Sequence, residues 1–486
     1  MTPVPGPLDT RLPSGFRVVL DRRTRVLDGG SALLGGAPPR LVHLAPAAVA
    51  LLAGRGALAV TDPTSAALAR RLLDIGLAHP ANGRDGPRLP APGPADVTVV
   101  IPVKDRTDGL ARLLAALPPG LGGVIVVDDG SADAAAVAAV VHRAGAELVR
   151  HPSAHGPAAA RNAGLAAATT DVVAFLDSDV VPQPGWLEPL LATFADPAVG
   201  LVAPRIVALP PVRSWLGRYE AVRSSLDMGL EPAAVVPRSR VAYVPSAAML
   251  VRRTAVGPGF DERMHVAEDV DLVLRMHAAG WRLRYEPAAR VAHDHRTTFG
   301  SWLRRKAFYG TGAAPLALRH RGAVPPMVLS PWSAAVCGLL LCQRGRATAW
   351  AMVIMVVAAE RLSGRLSRLV HPRRSAVWLT GLGLAGAIGQ TGSALTRHFW
   401  PLALVACLFS ARARRAVVAA ALAEGVADWW RHRDHDPAGP GLTGYLLAHR
   451  LDDLAYGAGL WWGAWRNRTT APLRPVTLGE RSQPRG

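Results

Sequence analysis

The chain has 486 residues, 55 Lys plus Arg against 36 Asp plus Glu, and a net charge of +19. That length implies two to four domains, and the three cysteines (Cys337, Cys342, Cys407), none in CxxC spacing, exclude a disulfide framework and a cysteine-built zinc site. Residues 301–486 hold 24 basic and 8 acidic groups against 31 and 28 in residues 1–300, so the excess charge, whether it answers nucleic acid, an anionic membrane or an acidic substrate, belongs to the C-terminal third.

Residues 1–30 lack the apolar core of a signal peptide, so a cytoplasmic N-terminus is expected. Leu8 to Pro80 reads as a small α+β unit. Phe16–Leu20, Thr24–Leu27 and Ser31–Leu34 have strand character, with Asp28-Gly29-Gly30 as a turn. Ala45–Leu52 reads as a short helix. Thr61-Asp62-Pro63 supplies a cap and a first-turn proline for a second helix through about Ile75. Residues 81–95 are rich in Pro and Gly and read as a linker.

Val97–Ile101, Gly123–Val127 and Asp171–Leu176 are continuous apolar runs of strand length, separated by Ala- and Leu-rich helical segments. This pattern predicts parallel strands covered on both faces, an α/β fold. Ligands of such sheets bind beyond the carboxyl ends of the strands. The three runs end in Lys104-Asp105, Asp128-Asp129 and Asp177-Ser178-Asp179.

Two carboxylates at i and i+2 of an extended segment face the same way. Asp177-Ser178-Asp179 therefore reads either as a pair joined by a hard divalent cation on substrate phosphates or as an acidic turn. Asp128-Asp129-Gly130-Ser131 offers a carboxylate to a base or ribose, or is an ordinary turn. His155-Gly156-Pro157 opens a helix of small residues in which Arg161 either reaches a phosphate or packs. Glu268-Asp269-Val270-Asp271-Leu272 places three carboxylates in five residues at a helix start. The helix dipole accounts for one or two of them, and a further one suits a general base. In His293-Asp294-His295 an imidazole either completes a metal shell or lies at the surface. Ser301–Gly310, with Arg304-Arg305-Lys306 among aromatics, reads as a diphosphate clamp, a sugar subsite, a membrane-surface segment or an amphipathic helix docked on the catalytic domain.

Beyond Arg319, the stretches Met327–Cys342, Ala347–Ala359, Ala376–Leu384 and Phe399–Phe409 are apolar and separated by arginines. Each is shorter than the about 20 residues of an ideal membrane span, leaving merged or tilted spans open. That interleaving favours an anionic membrane surface over nucleic acid. Arg22-Arg23 and Arg25 form no continuous basic recognition helix, so no nucleic-acid partner is expected. The tail from Pro472 is polar and reads as disordered.

Several motifs, in this order, resemble the family 2 glycosyltransferases of the GT-A fold. They are Val99-Val100-Ile101-Pro102-Val103, Val126-Val127-Asp128-Asp129-Gly130-Ser131, Arg161-Asn162-Ala163-Gly164 and Phe175-Leu176-Asp177-Ser178-Asp179. Gly259-Phe260-Asp261-Glu262, Glu268-Asp269-Val270-Asp271-Leu272 with Arg275, and Gly280-Trp281 to His293 continue the match. The resemblance implies that Asp129 with Asp128 holds the nucleotide base of a UDP-sugar, and that Lys104, Asp105, Arg161, Asp177 and Ser178 line the donor. It implies that Asp177, Asp179 and His293 hold Mg²⁺ or Mn²⁺, and that Asp269 deprotonates the acceptor in a single inverting displacement.

Gly15-Phe16-Arg17, Leu27-Asp28-Gly29-Gly30 and Leu41–Leu52 resemble PqqD-type domains, which are winged-helix-like and hold leader peptides by strand addition. The whole order resembles the glycosyltransferases of mycofactocin systems. That implies glucose transfer from UDP-glucose onto a peptide-derived redox cofactor, pre-mycofactocin, building a β-1,4-glucan at the cell membrane with the catalytic domain cytoplasmic. The expected division is 8–80 for peptide recognition, 81–95 linker, 96–310 transferase, 311–471 apolar helical region and 472–486 tail. Where processive synthases carry Gln-x-x-Arg-Trp, this chain reads Trp302-Leu303-Arg304-Arg305-Lys306, so repeated addition gains no support from that element. Two alternatives are a membrane glycosyltransferase acting on a lipid or polysaccharide, and a non-catalytic membrane adaptor that presents a peptide.

Overall fold

The computed structural model describes residues 4–52, 56–81, 89–212, 214–295, 298–435 and 439–477. The linker expected at 81–95 lies partly outside these residues (82–88), as does the tail beyond 477; residues 472–477, expected as disordered, are ordered, with Pro472 buried and Val476–Thr477 paired to Val328–Leu329. The chain forms two compact units: Met1–Pro211 with Ser224–His295, and Val212–Arg223 with Arg296–Gly486.

The first unit begins with two three-stranded antiparallel sheets. Arg17–Leu20 lies between Ala57–Ala59 and Ala78–Pro80, and Ala32–Gly35 lies between Arg25–Leu27 and Arg40–His43. The helix Pro63–Asp74 starts where the sequence places it. Asp62 accepts from Thr64 N at 2.8 Å and Ser65 N at 2.9 Å, and Ser65 Oγ accepts from Asp62 N. Phe16, Leu33, Leu72, Leu73 and Leu77 close the core, joined by Ala195 from the larger sheet's side. Arg70 grips Asp196 at 2.6 and 2.9 Å and Arg282 grips Asp74 at 2.9 and 3.0 Å, so this region sits on the larger sheet.

The larger sheet has nine strands. From one edge their order is Val180–Pro182, Arg282–His293, Val199–Ala208, Ala248–Arg252, Val172–Leu176, Val97–Val103, Gly123–Asp129 and Glu147–His151, with Ala233–Ala234 beside Arg282–His293. The last four in this order run parallel, as the apolar runs imply. Ala248–Arg252 runs antiparallel to both its neighbours, so the sheet is mixed.

Period-two alternation divides each strand between two cores. Val97, Val99, Ile101, Val172, Ala174 and Leu176 enter one, and Val100, Val173 and Phe175 the other. Both faces are dry, which is why these strands read as unbroken apolar runs. Burying each Val or Leu here contributes roughly 1.5–3 kcal/mol. Parallel pairing brings the ends of Val97–Val103, Gly123–Asp129 and Val172–Leu176 to one edge, where the acidic motifs sit.

The second unit is helical. The expected apolar stretches Ala347–Ala359 and Ala376–Leu384 extend into helices of 21 and 22 residues, Gly345–Arg365 and Pro372–Ser393. Gly345–Arg365 is long and apolar enough to cross a membrane, and Pro331–Leu341 and Trp400–Phe409 are shorter. Large apolar side chains stand exposed on this unit, including Trp350, Val377, Leu408 and Phe409.

The helix Phe299–Thr311, expected as part of the transferase region ending at 310, packs here instead, against Leu442–Arg466. Gly310 and Gly459 permit the approach, because a Cβ at either would overlap the backbone carbonyl of Tyr456 or Ala307. Trp302 and Lys306 are buried. Trp302 Nε1 donates to Glu220 at 2.8 Å, and Lys306 bridges Glu220 at 2.8 Å and Asp452 at 3.0 Å. A diphosphate clamp using Lys306 is thereby excluded, and the amphipathic docked helix describes this segment, although its partners are Trp215–Arg223 and Leu442–Arg466.

Candidate active site

At the end of Val172–Leu176 the chain turns rather than staying extended, with Val180 N donating to Asp177 O at 3.1 Å. The two carboxylates of this turn have different partners. Asp177 Oδ1 accepts from Arg161 at 2.6 Å. Asp179 lies 3.1 Å from Arg106 and 3.5 Å from His293 Nε2. Ser178 is buried, and its carbonyl occupies the space a Cβ on Gly109 would need.

Arg161 is buried and spans two carboxylates, donating to Asp177 and, at 2.9 Å, to Glu268 Oε1. Its guanidinium also faces the Phe260 ring, 5.4 Å from the centroid. Burial works against its charge, but Asp177 and Glu268 outweigh burial and raise its pKa. Arg161 therefore organises carboxylates. The neighbouring motif residues have structural work of their own. Asn162 exchanges hydrogen bonds with Phe260 N and O at 2.8 and 2.9 Å, and Gly164 lets the helix Pro157–Ala167 lie on Val100.

The three carboxylates at the start of Glu268–Ala278 separate by role. Asp271 is buried against Arg275 at 2.8 Å. Glu268 faces Arg161; burial and the adjacent Asp269 charge raise its carboxyl pKa, with Arg161 opposing. Asp269 Oδ2 accepts from Ser246 N at 3.0 Å and Oδ1 from Val270 N at 2.8 Å. The residue before this helix, Ala267, has φ 62°, a left-handed conformation unusual for alanine. Asp105 is also left-handed, at φ 53°. Backbone strain of this kind concentrates at functional sites.

At the end of Gly123–Asp129, Asp128 and Asp129 have different partners. Asp128 is fully buried and accepts from Ser131 N at 2.9 Å and Arg150 at 2.8 Å. Asp129 accepts from His155 N, Gly156 N and His151 Nδ1 at 2.8–2.9 Å. Burial pushes Asp129 up, yet the hydrogen bonds from His155 and His151 bring it below the usual carboxylate range. Asp105 accepts from Ala132 N at 2.8 Å, and its own N donates to Ser131 Oγ at 3.0 Å. Lys104 is exposed at the same edge.

Asp179 and His293 come together, but among the described residues Asp177, Asp179 and His293 do not gather as one three-ligand group. Asp179 and His293 form a carboxylate–imidazole pair of a kind that suits a divalent ion, with Arg106 beside them. Glu424, His449 and Asp453 do gather, in the second unit, where Arg450 donates to Glu424 and lies 3.1 Å from Asp453. Sequence reading missed Arg106 and Ser246. Arg106 directly follows Lys104-Asp105, whereas nothing local marks Ser246.

The Glycosyl transferase family 2 model matches residues 98–256. Over 476 residues the chain is 51% identical to the pre-mycofactocin glycosyltransferase of Mycobacterium tuberculosis (strain ATCC 25618 / H37Rv), an alignment covering 96% of this chain and 98% of that one. The chain belongs to the family 2 glycosyltransferases. It is an enzyme that moves a sugar from a donor to an acceptor. The succinoglycan biosynthesis protein ExoU of Rhizobium meliloti (strain 1021) is 29% identical over 40% of this chain and 61% of its own. Among solved structures, a Pyrobaculum calidifontis mannosyltransferase in complex with GDP-Man and Mn²⁺ aligns with a TM-score of 0.36 at 19% identity, covering 63% of this chain and 90% of that one. The family 2 match begins at the first core strand and ends past Ala248–Arg252, so it spans the DSD turn and stops before Asp269.

Proposed function

We propose that this family 2 glycosyltransferase moves glucose from UDP-glucose, with inversion, onto a peptide-derived redox cofactor, pre-mycofactocin, and builds a β-1,4-glucan on it. The observation that carries the reading is the identity of 51% across nearly the whole length of a pre-mycofactocin glycosyltransferase, joined to an acidic edge fit for this chemistry.

Asp269 is the general base. Ser246 N and the helix N-terminus hold its carboxylate, which takes the proton of the attacking acceptor hydroxyl. The acceptor oxygen bonds to the anomeric carbon as the bond to UDP breaks and its electron pair leaves with UDP. Asp105, Asp128 and Asp129 shape the loops that receive the nucleoside, and exposed Lys104 meets the diphosphate. Asp179 and His293 would hold Mg²⁺ or Mn²⁺, with Asp177 on the same turn, and the ion would supply charge neutralisation on the leaving diphosphate. Arg161 keeps Asp177 and Glu268 in place.

Residues 8–80 serve as a PqqD-like peptide-recognition domain for a leader peptide. The apolar, arginine-rich helices attach the enzyme to the cell membrane, with its catalytic region on the cytoplasmic side. Mass spectrometry of the peptide-derived product from cells with and without this gene tests the reading. A ladder of hexose increments lost on deletion supports it; an unchanged product rejects it.

A further inference from the structure

The membrane reading concerns the second unit as a whole, but one place in that unit sets arginines beside an apolar surface. A hollow of about 850 Å³ is lined by Trp461, Ala464, Trp465, Arg466, Arg468, Thr469, Thr470, Leu473 and Arg474. Three arginines and two threonines thus line one open hollow, and none of its described lining residues is acidic. Arg466 and Arg468 make no ion pair among the described residues, and Arg474 donates only to Thr470 Oγ1, at 3.3 Å. Three clustered, unneutralised guanidiniums attract an anion, and their planar forks match phosphate oxygens.

The end of Leu442–Arg466 would oppose an anion if its last carbonyls faced the hollow. Those carbonyls are taken: Asn467 N donates to Gly463 O, Thr469 N to Ala464 O and Arg468 N to Trp465 O, at 2.9–3.0 Å. The left-handed turn at Arg468 (φ 49°) makes these bonds possible and folds the following residues back over the helix end. Pairing of Val476–Thr477 with Val328–Leu329 fixes the returning segment.

The remainder of the lining is apolar. Trp461 is pinned through Nε1 to His398 O at 2.7 Å, Ala464 is buried, and Leu473 closes the side. The apolar surface continues outward through Trp462 and Trp465, whose rings lie 4.9 Å apart and are 54% and 70% exposed. A free phosphate would use the arginines and leave this surface wet. An amphiphile uses both halves, and tryptophans beside arginines are the usual furniture of the headgroup layer.

We infer that this hollow binds the headgroup of an anionic glycerophospholipid, its phosphate on Arg466, Arg468 and Arg474 and its glycerol-acyl end over Trp461, Trp465 and Leu473. The inference rests on the membrane reading above. It adds a saturable, headgroup-selective site to what would otherwise be diffuse attraction by scattered arginines.

The test uses the full chain purified in neutral detergent and follows its melting temperature while short-chain lipids are titrated. Dihexanoylphosphatidylglycerol is expected to raise the melting temperature saturably, with a half-point at least tenfold below that of dihexanoylphosphatidylcholine, and inorganic phosphate alone to do nothing. The variant R466Q/R468Q/R474Q should lose this response, whereas R373Q/R374Q/R412Q, which removes the same charge elsewhere in the unit, should keep it. Equal responses to the two lipids, an equal response to phosphate, or equal loss in both variants overturns the site. Flotation of wild type with 1:1 phosphatidylglycerol:phosphatidylcholine vesicles examines the membrane reading separately. Failure to float with a retained, variant-sensitive lipid response rejects membrane attachment and leaves the site standing.

Discussion

Arg161 and Asp177 meet at 2.6 Å, and the same guanidinium reaches Glu268 on its other side. This buried cation ties the DSD turn to the helix that carries Asp269, so the two acidic motifs, 91 positions apart between Asp177 and Glu268, act as one site.

Removing Arg161 should therefore leave two carboxylates, buried Glu268 and part-buried Asp177, without their cation. R161Q is expected to lose about 3–5 kcal/mol of stability near neutral pH, the usual consequence of breaking a buried pair. Glu268, already raised by burial and Asp269, rises further without Arg161. A raised acid favours the protonated fold, so its stabilising effect is complete at low pH and disappears as pH rises through the folded pKa. Urea melts should show a smaller R161Q defect at about pH 5 than at about pH 8; an equal defect at both would contradict the shared-cation picture.

Asp129 behaves with the opposite sign. Its folded pKa is lowered, so its contribution is present above the unfolded value of about 3.9 and is lost only as pH falls through the folded one. The loop held by His155 N and Gly156 N should stay closed through the neutral range. D129N should weaken UDP binding about tenfold at every pH above about 5, since it removes about 1.4 kcal/mol or more of charge-assisted hydrogen bonding. Titration calorimetry of UDP decides, and unchanged affinity would remove Asp129 from the nucleotide side.

If Asp179 and His293 hold the metal, EDTA should abolish turnover and Mn²⁺ restore it. H293A should then raise the Mn²⁺ concentration for half-maximal rate by on the order of tenfold or more. Full activity in EDTA would exclude the metal role of both residues.

Arg284, on the Arg282–His293 strand, is buried, and none of its three side-chain nitrogens has a hydrogen-bond partner among the described residues. Burial brings its pKa down to about 10. Asp196 and Asp74, the acids whose charges act on it, are already engaged by Arg70 and Arg282. Unpaired buried donors cost about 1–3 kcal/mol each, so R284M should stabilise the fold and raise the melting temperature by roughly 2–4 °C or more. A lower melting temperature would show that Arg284 has a partner in solution.

The core strands were legible because both their faces are buried, which leaves continuous apolar runs at Val97–Val103, Gly123–Asp129 and Val172–Leu176. The capped helix at Pro63 was legible because its signal is local. The antiparallel Ala248–Arg252 strand was not, since composition carries no direction. Site residues were visible as types at strand ends, but their partners were not. Neither reading of Arg161 named its carboxylate partners, because the sequence does not reveal that a carboxylate 107 positions away pairs with it. Trp302 and Lys306 looked available because their burying surface, Leu442–Arg466, lies far along the chain.

The most direct test of the central claim is UDP release by the purified full chain, with UDP-glucose, Mn²⁺ and the unglycosylated peptide-derived acceptor. Wild type is expected to release UDP in step with hexose appearing on the acceptor. D269N should lower kcat by about 10²–10⁴-fold while leaving UDP affinity unchanged. Wild-type turnover in D269N, or UDP release without hexose on the acceptor, would contradict the account.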